Sequence, residues 1–142
     1  MPVSMDSDLP CACVALRRAT RALTAAYDAA LAPSGLRLTQ FSVLRSLVRL
    51  GPVSVTRLAA ETALERSTMG RNLDPLERRG LVRIAVGETD GRERVARITP
   101  AGETAIAAAL PAWRAMQERV AGLVPSGSLD ALAQRAGALR DA

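Results

Sequence analysis

The sequence contains no histidine and no lysine, and its only cysteines are Cys11 and Cys13. The absence of histidine excludes the imidazole acid–base chemistry that many enzymes use. Two cysteines separated by a single residue supply neither a four-ligand zinc site nor a disulfide framework. We therefore expect a protein that is not an enzyme and that needs no metal or other cofactor.

Aromatic residues are also scarce, at 2% of the 142 residues. Tyr27, Phe41 and Trp113 are too few to form the stacking platform with which proteins bind single-stranded nucleic acid. The core is therefore expected to consist of leucine, valine, isoleucine and alanine. With 49% hydrophobic and 23% charged residues, the composition is that of an ordinary globular protein.

Long apolar runs are missing as well. Arginine, proline or glycine interrupts each apolar stretch well before it reaches the length of a membrane span. The N-terminus also lacks the basic stretch followed by an apolar one that marks a secretory signal. These features predict a cytoplasmic protein without a membrane partner.

The charged residues are unbalanced, because arginine is the sole basic type and the net charge is +5. A positive charge favours a polyanionic partner. A guanidinium can also hold a phosphate or a guanine edge through two parallel hydrogen bonds. A GC-rich genome produces the same preference for arginine, however, so charge alone does not identify the partner.

The first part of the chain predicts a flexible start and two helices. Residues 1–10 are polar and contain two prolines, so we expect them to fray. A helical apolar stripe begins at Ala12 and stops at Pro33. Thr39 suits the N-cap of a second helix that ends before Gly51. Its buried side is expected to comprise Phe41, Leu44, Leu47 and Val48.

The middle of the chain predicts two helices joined by a tight turn and then a hairpin. Ser54 suits the cap of a short helix over residues 55–62, and a longer helix follows over residues 65–79. Its apolar face would comprise Met69, Leu73 and Leu76, and Pro75 should kink it. Strands over residues 81–86 and 94–99 flank the turn signal Asp90-Gly91.

The last part predicts a long helix that begins with Thr99 as N-cap and Pro100 as its first residue. Pro111 should bend this helix, and a short helix follows the break at residues 125–127. The order of elements is that of a winged helix-turn-helix with helical arms. The fold class is therefore mainly α with a small β-hairpin wing.

This order of elements makes duplex DNA the expected partner. A helix fits the major groove, where the side chains in its first turns reach base edges. The hairpin tip could enter a minor groove or contact phosphates, with Asp90 orienting the Arg92 guanidinium. A polar helix face can also be merely solvated, and a charged hairpin can merely prevent aggregation. The candidate DNA-binding residues are Ser54, Arg66, Ser67, Thr68, Arg71, Asn72, Arg92 and Arg94.

The stretch from Leu64 to Val82, LERSTMGRNLDPLERRGLV, resembles the recognition helix of the MarR family of multiple-antibiotic-resistance-type regulators. Asp90-Gly91-Arg92 and the run Ile98-Thr99-Pro100-Ala101-Gly102 resemble the wing of that family and its exit, and the likeness spans about residues 11–124. It implies a homodimeric regulator, most simply a repressor, on a pseudo-palindromic operator. Residues 11–36 and 100–142 would form the helical dimerisation region around a DNA-binding domain at residues 37–99. Arg71 and Arg92 match DNA-contacting arginines of the family.

The resemblance also implies an effector, which the sequence leaves open. Arg17, Arg45 and Trp113 are the candidate residues for a small aromatic or anionic ligand. Cys13 and Tyr27 have the spacing of the reactive cysteine and one tyrosine of the organic-hydroperoxide sensors in this family, and Arg17 could stabilise the Cys13 thiolate. Three alternatives therefore stay open: a thiol-based peroxide-sensing regulator, a small thiol peroxidase, and a winged helix that contacts an acidic protein.

Overall fold

The computed structural model describes residues 9–87 and 91–141. Most of the predicted flexible start, residues 1–10, lies outside the described residues, as does Asp90. Within the described part, three strands and six α-helices follow one another in the predicted order, with β1 as an addition. The elements are α1 (Ala12–Leu31), α2 (Leu38–Leu50), β1 (Val53–Ser54), α3 (Val55–Glu61), α4 (Arg66–Arg78), β2 (Val82–Val86), β3 (Arg94–Ile98), α5 (Pro100–Ala121) and α6 (Ser128–Ala138). The predicted fold class, mainly α with a small β wing, is confirmed.

The start of α2 differs from the prediction that Thr39 caps it. The N-cap is Arg37, and Thr39 is the second residue of the helix. Two other side chains accept hydrogen bonds from the first backbone N–H groups at the start of this helix. The Asp28 carboxylate accepts from the Leu38 N–H at 2.8 Å, and the Gln40 side chain accepts from the Arg37 N–H at 3.1 Å. The prediction was wrong because the cap of α2 comes partly from the end of α1, which the local sequence does not reveal.

The core lies between α2, α3, α4, the sheet and the first half of α5. The predicted apolar face of α4 is confirmed, since Met69, Leu73 and Leu76 are fully buried. The prediction that Val48 is buried was wrong, because 55% of this residue is exposed. Val48 lies in the last turn of α2, where it lines an open cavity of about 300 Å³ together with Pro52.

Two prolines lie inside helices that continue past them. Pro75 is in the last turn of α4, which extends to Arg78, and Pro111 is in the middle of α5, which extends to Ala121. A proline removes one helical hydrogen bond and crowds the preceding turn. The bends expected at both positions stay predictions.

The sheet is antiparallel, with β3 between β1 and β2. The hairpin pairs Val82 with Ile98 at its base and Val86 with Arg94 near its tip. The two residues of β1 add a third strand, in which Val53 faces Ala96. The wing, defined here as β2, β3 and the loop between them, is therefore anchored to the helical core on one face by Val82 and Ala96, which are buried.

The wing joins α5 through a compact junction. Thr99 caps α5 as predicted, because its hydroxyl accepts from the Gly102 N–H at 3.1 Å. The same hydroxyl donates to the Gly80 carbonyl, while the Thr99 N–H donates to the Leu81 carbonyl. A Cβ on Gly102 would overlap that Leu81 carbonyl oxygen. The end of the hairpin, the end of α4 and the start of α5 are thus held together by this junction.

A membrane span would need a longer apolar run than any helix in residues 9–87 and 91–141 provides.

Candidate nucleic-acid interface

The helix-turn-helix consists of α3, a short turn and α4. Ser54 caps α3 as predicted, with its hydroxyl accepting from the Arg57 N–H at 3.1 Å. At the other end of α3, the Ala63 N–H donates to the Ala60 carbonyl and the Leu64 N–H to the Ala59 carbonyl. This pair of bonds is a Schellman motif, and Ala63 occupies its left-handed position with φ 54°. The motif ends α3 and turns the chain directly into α4.

The outer face of α4 is set by the arrangement of its buried residues. Met69, Leu73 and Leu76 recur at spacings of four and three, so they form one stripe against the core. A second set of residues recurs at spacings of four, three and four: Ser67, Arg71, Asp74 and Arg78. Each lies two positions from a buried residue and therefore about 200° away from it around the helix. All four are exposed. We call them the outer stripe of α4.

The residues predicted on this helix divide between the outer stripe and its flanks. Ser67 and Arg71 belong to the outer stripe, and Arg66 is exposed at the start of the helix. Thr68 and Asn72 are half-buried on one flank. The Asn72 amide donates to the Thr68 carbonyl of the same helix at 3.0 Å, so one of its two donor hydrogens is already engaged. Asn72 is therefore less available to DNA than Arg71.

The wing carries its predicted arginines on the surface. Arg94 is exposed as the first residue of β3, opposite Val86, and Arg92 is exposed in the loop. Arg92 has an interaction within the molecule. The suggested pairing of Arg92 with Asp90 falls on a residue outside the described part of the chain. Ser54 lies at the opposite edge of the sheet, where it pairs with Val95 as well as capping α3.

Four charged residues of this surface were not among the DNA contacts predicted from the sequence. Asp74 and Arg78 are members of the outer stripe, and the signal for them was their three- and four-residue spacing from Arg71. Arg83 and Arg97 face each other directly across β2 and β3, and both are exposed. That pair became visible only when the register of the hairpin was known.

The candidate ligand residues are not all in one place. The Arg45 guanidinium lies 4.7 Å from the centre of the Trp113 ring, and that ring stacks on Phe41 at 5.2 Å. This cluster connects α2 to α5. Arg17 lies on the exposed first half of α1, where its guanidinium contacts the Cys13 sulfur at 4.0 Å.

A cavity of about 420 Å³ lies between α1, the end of α5 and the start of α6. The Tyr27 hydroxyl donates to the Gln117 side chain at its wall, and burial raises the pKa of Tyr27. Among the described residues that line this cavity, Asp130 carries the only charge. The candidate residues Arg17, Arg45 and Trp113 do not line it, so the cavity offers no cation to an anionic ligand.

Both cysteines are exposed, and neither forms a disulfide. Cys13 and Tyr27 lie on the same helix, separated by about 21 Å along its axis. One chain therefore does not bring this thiol and this hydroxyl together. In residues 9–87 and 91–141 no group of three or more histidine, cysteine or acidic side chains is arranged to hold a metal ion.

The comparisons with known proteins agree with this geometry. The family model described as the MarR family matches residues 34–93. The chain is similar to the transcriptional regulator MosR of M. tuberculosis in complex with DNA, with 40% identity, 92% of this chain and 99% of that chain covered, and a TM-score of 0.81. No curated protein sequence matches the chain.

Two structures of CouR are more distant matches. CouR, described as a transcriptional repressor bound to a 23-mer DNA duplex, is 26% identical over 99% of both chains with a TM-score of 0.74. CouR from Rhodococcus jostii RHA1 bound to p-coumaroyl-CoA is 25% identical over 87% of both chains with a TM-score of 0.70. The family model, the extent of the match to MosR and the winged helix-turn-helix geometry lead to one conclusion. The chain belongs to the MarR family of winged-helix, DNA-binding transcriptional regulators.

Proposed function

We propose that the chain is a repressor that binds a pseudo-palindromic operator as a homodimer and is released by a small aromatic or anionic ligand. In this account the outer stripe of α4 lies in the major groove and the wing reaches the adjacent minor groove. The DNA complexes of MosR and CouR support duplex DNA as the partner, and the description of CouR as a repressor supports the direction of control.

The observation that carries the proposal is the outer stripe of α4. Ser67 and Arg71 are exposed in the first two turns of the helix, directly opposite the residues that fix the helix to the core. Within the described part of the chain, Arg71 forms no ion pair that would neutralise it. A rigid helix with an exposed, unneutralised arginine near its N-terminal end is suited to reading a guanine edge.

The homodimer is supported by apolar residues that one chain leaves exposed. All the described residues of α6 are at least partly exposed, and Leu129, Leu132 and Leu139 are among the exposed large apolar side chains of the chain. Val14 and Leu16 of α1 and Val124 after α5 are exposed too. Exposed apolar side chains on α1, on α6 and just after α5 are typical of an interface between subunits.

Binding to duplex DNA from the upstream region of the gene, measured at several salt concentrations, tests the proposal. A specific complex should weaken steeply as salt rises, because arginines that contact phosphates displace counterions. The Arg92→Ala variant should reduce the slope of log affinity against log salt by about one unit. Equal affinity for the upstream duplex and for random duplex would contradict the proposal and favour contact with an acidic protein instead.

The effector is proposed to bind at the cluster of Arg45 and Trp113. The guanidinium can neutralise a carboxylate while the indole stacks on an aromatic ring. Trp113 is the only tryptophan, so its fluorescence reports on this position alone. Salicylate should quench the Trp113 fluorescence in a saturable way, and Arg45→Gln should weaken this quenching. The Arg17→Gln variant tests in the same way whether Arg17 contributes to binding. Quenching that Arg45→Gln leaves unchanged would place the effector elsewhere.

A further inference from the structure

The outer stripe of α4 contains one acidic residue, Asp74. Arg71 precedes it by three residues and Arg78 follows it by four, which are the spacings at which side chains on a helix meet. Neither arginine forms an ion pair with Asp74 among the residues that the structure describes. The carboxylate therefore lies between two arginines on one exposed stripe, and neither arginine holds it in an ion pair.

A carboxylate on a groove-facing helix has two opposite effects on DNA binding. It repels phosphates, so it weakens binding to every duplex regardless of sequence. It can also accept a hydrogen bond from the N4 amino group of cytosine, which is the base donor that aspartate and glutamate read in the major groove. The two effects together lower non-specific affinity and favour sites with a cytosine at one position.

We propose that Asp74 is a specificity-determining residue that selects a cytosine in each operator half-site. The proposal rests on the proposed function, in which α4 lies in the major groove. Arg71 suits a guanine, through its O6 and N7 atoms. The two residues are about 4.5 Å apart along the helix axis, close to the spacing of neighbouring base pairs. The half-site should therefore contain a guanine and a cytosine at adjacent or next-adjacent base pairs.

Selection of binding sites from a pool of random duplexes tests this assignment. The full chain is compared with Asp74→Asn, which removes the charge and keeps the size of the side chain. Asp141→Asn makes the same charge change at the exposed C-terminal end and is the matched control. The wild-type chain should select cytosine at one position of each half-site by at least about fivefold. Asp74→Asn should shift that preference from cytosine towards adenine, because an amide both donates and accepts and so suits the adenine N7 and N6 atoms. It should also bind random duplex severalfold more tightly at low salt, whereas Asp141→Asn should match the wild type.

The outcomes separate this proposal from the one on which it rests. If Asp74→Asn selects the same bases as the wild type at every position, Asp74 does not determine the specificity. If Asp141→Asn gains the same affinity for random duplex as Asp74→Asn, the gain comes from net charge alone. That result would contradict local repulsion of phosphates by Asp74. A wild-type chain that selects no sequence at all overturns the proposed function itself.

Discussion

Ala63 shows how a single residue sets the direction of α4. Its φ of 54° lies in the left-handed region, which costs an L-residue with a Cβ roughly 1–2 kcal/mol. Glycine is the usual residue at this position of a Schellman motif. The bonds of Ala63 and Leu64 to the preceding helix offset this strain and fix the turn between α3 and α4.

Replacement of Ala63 by glycine should therefore stabilise the protein. We expect Ala63→Gly to raise the free energy of unfolding by about 0.5–1 kcal/mol, because relief of the strain exceeds the added entropy of the unfolded chain. Ala60→Gly, three residues earlier within α3, should lower it by about 0.5–1 kcal/mol. Urea denaturation at one fixed protein concentration compares the two variants. A loss of stability in both would contradict the assignment of strain to Ala63.

Some residues could be assigned from the sequence and others could not. Ser54 and Thr99 were identified as caps because a hydroxyl stood immediately before an apolar periodic segment. Thr39 met the same criterion and does not cap α2, because Asp28 of the preceding helix supplies an acceptor instead. Local sequence cannot distinguish these cases, since the competing acceptor is ten residues away.

At the scale of elements, the arginines of the wing strands form an unfavourable pair. Arg83 and Arg97 are directly opposite on neighbouring strands, and both are exposed. Like charges in this position destabilise a sheet. The pair is therefore expected to weaken the hairpin at low salt and to be partly screened as salt rises.

A charge reversal tests the cost of this pair. Arg83→Glu should raise the free energy of unfolding by about 0.2–1 kcal/mol at low salt, because it places opposite charges across the two strands. Arg83→Gln should give a smaller gain, since it only removes the repulsion. Both gains should shrink in high salt. If Arg83→Glu is no more stable than Arg83→Gln at low salt, the two side chains do not interact across the sheet.

The helices and the hairpin were predictable because each has a clear period and clear ends. The apolar residues of α4 recur every three or four positions, and Asp90-Gly91 separates two alternating segments. Strand β1 has two residues, too few to show any period, and it forms only because β3 lies alongside. For the candidate site, the sequence predicted Arg71 and Arg94 as DNA contacts, whereas the opposition of Arg83 and Arg97 required the register of the hairpin to be known.

At the scale of the whole molecule, the proposed homodimer would cover the exposed apolar face of α6. Leu132 on this helix is 44% exposed and Leu139 is 76% exposed. A helix without buried residues gains little from packing within its own chain, and short isolated helices are only marginally stable in water. A second copy of the chain would bury this surface.

Dimerisation through this surface predicts that a charge on it separates the subunits. Leu132→Asp should convert a dimer into a monomer at micromolar concentration, measured by sedimentation equilibrium. Val86→Asp introduces the same charge at an exposed apolar residue of the wing and should leave the dimer intact. A wild-type chain that sediments as a monomer, or a Leu132→Asp variant that stays dimeric, would contradict this interface.

The most direct test of the whole account is the ratio of affinities for operator and random duplex. The wild-type chain should bind its operator at least about a thousandfold more tightly than random duplex. Arg71→Gln should reduce operator affinity by roughly five- to 150-fold, because it removes a base contact worth about 1–3 kcal/mol. Its loss of one positive charge should weaken binding to random duplex much less. Arg140→Gln, the same change at the C-terminal end, should leave the ratio unaltered. An unchanged ratio in Arg71→Gln would contradict the assignment of the outer stripe of α4 as the DNA-reading surface.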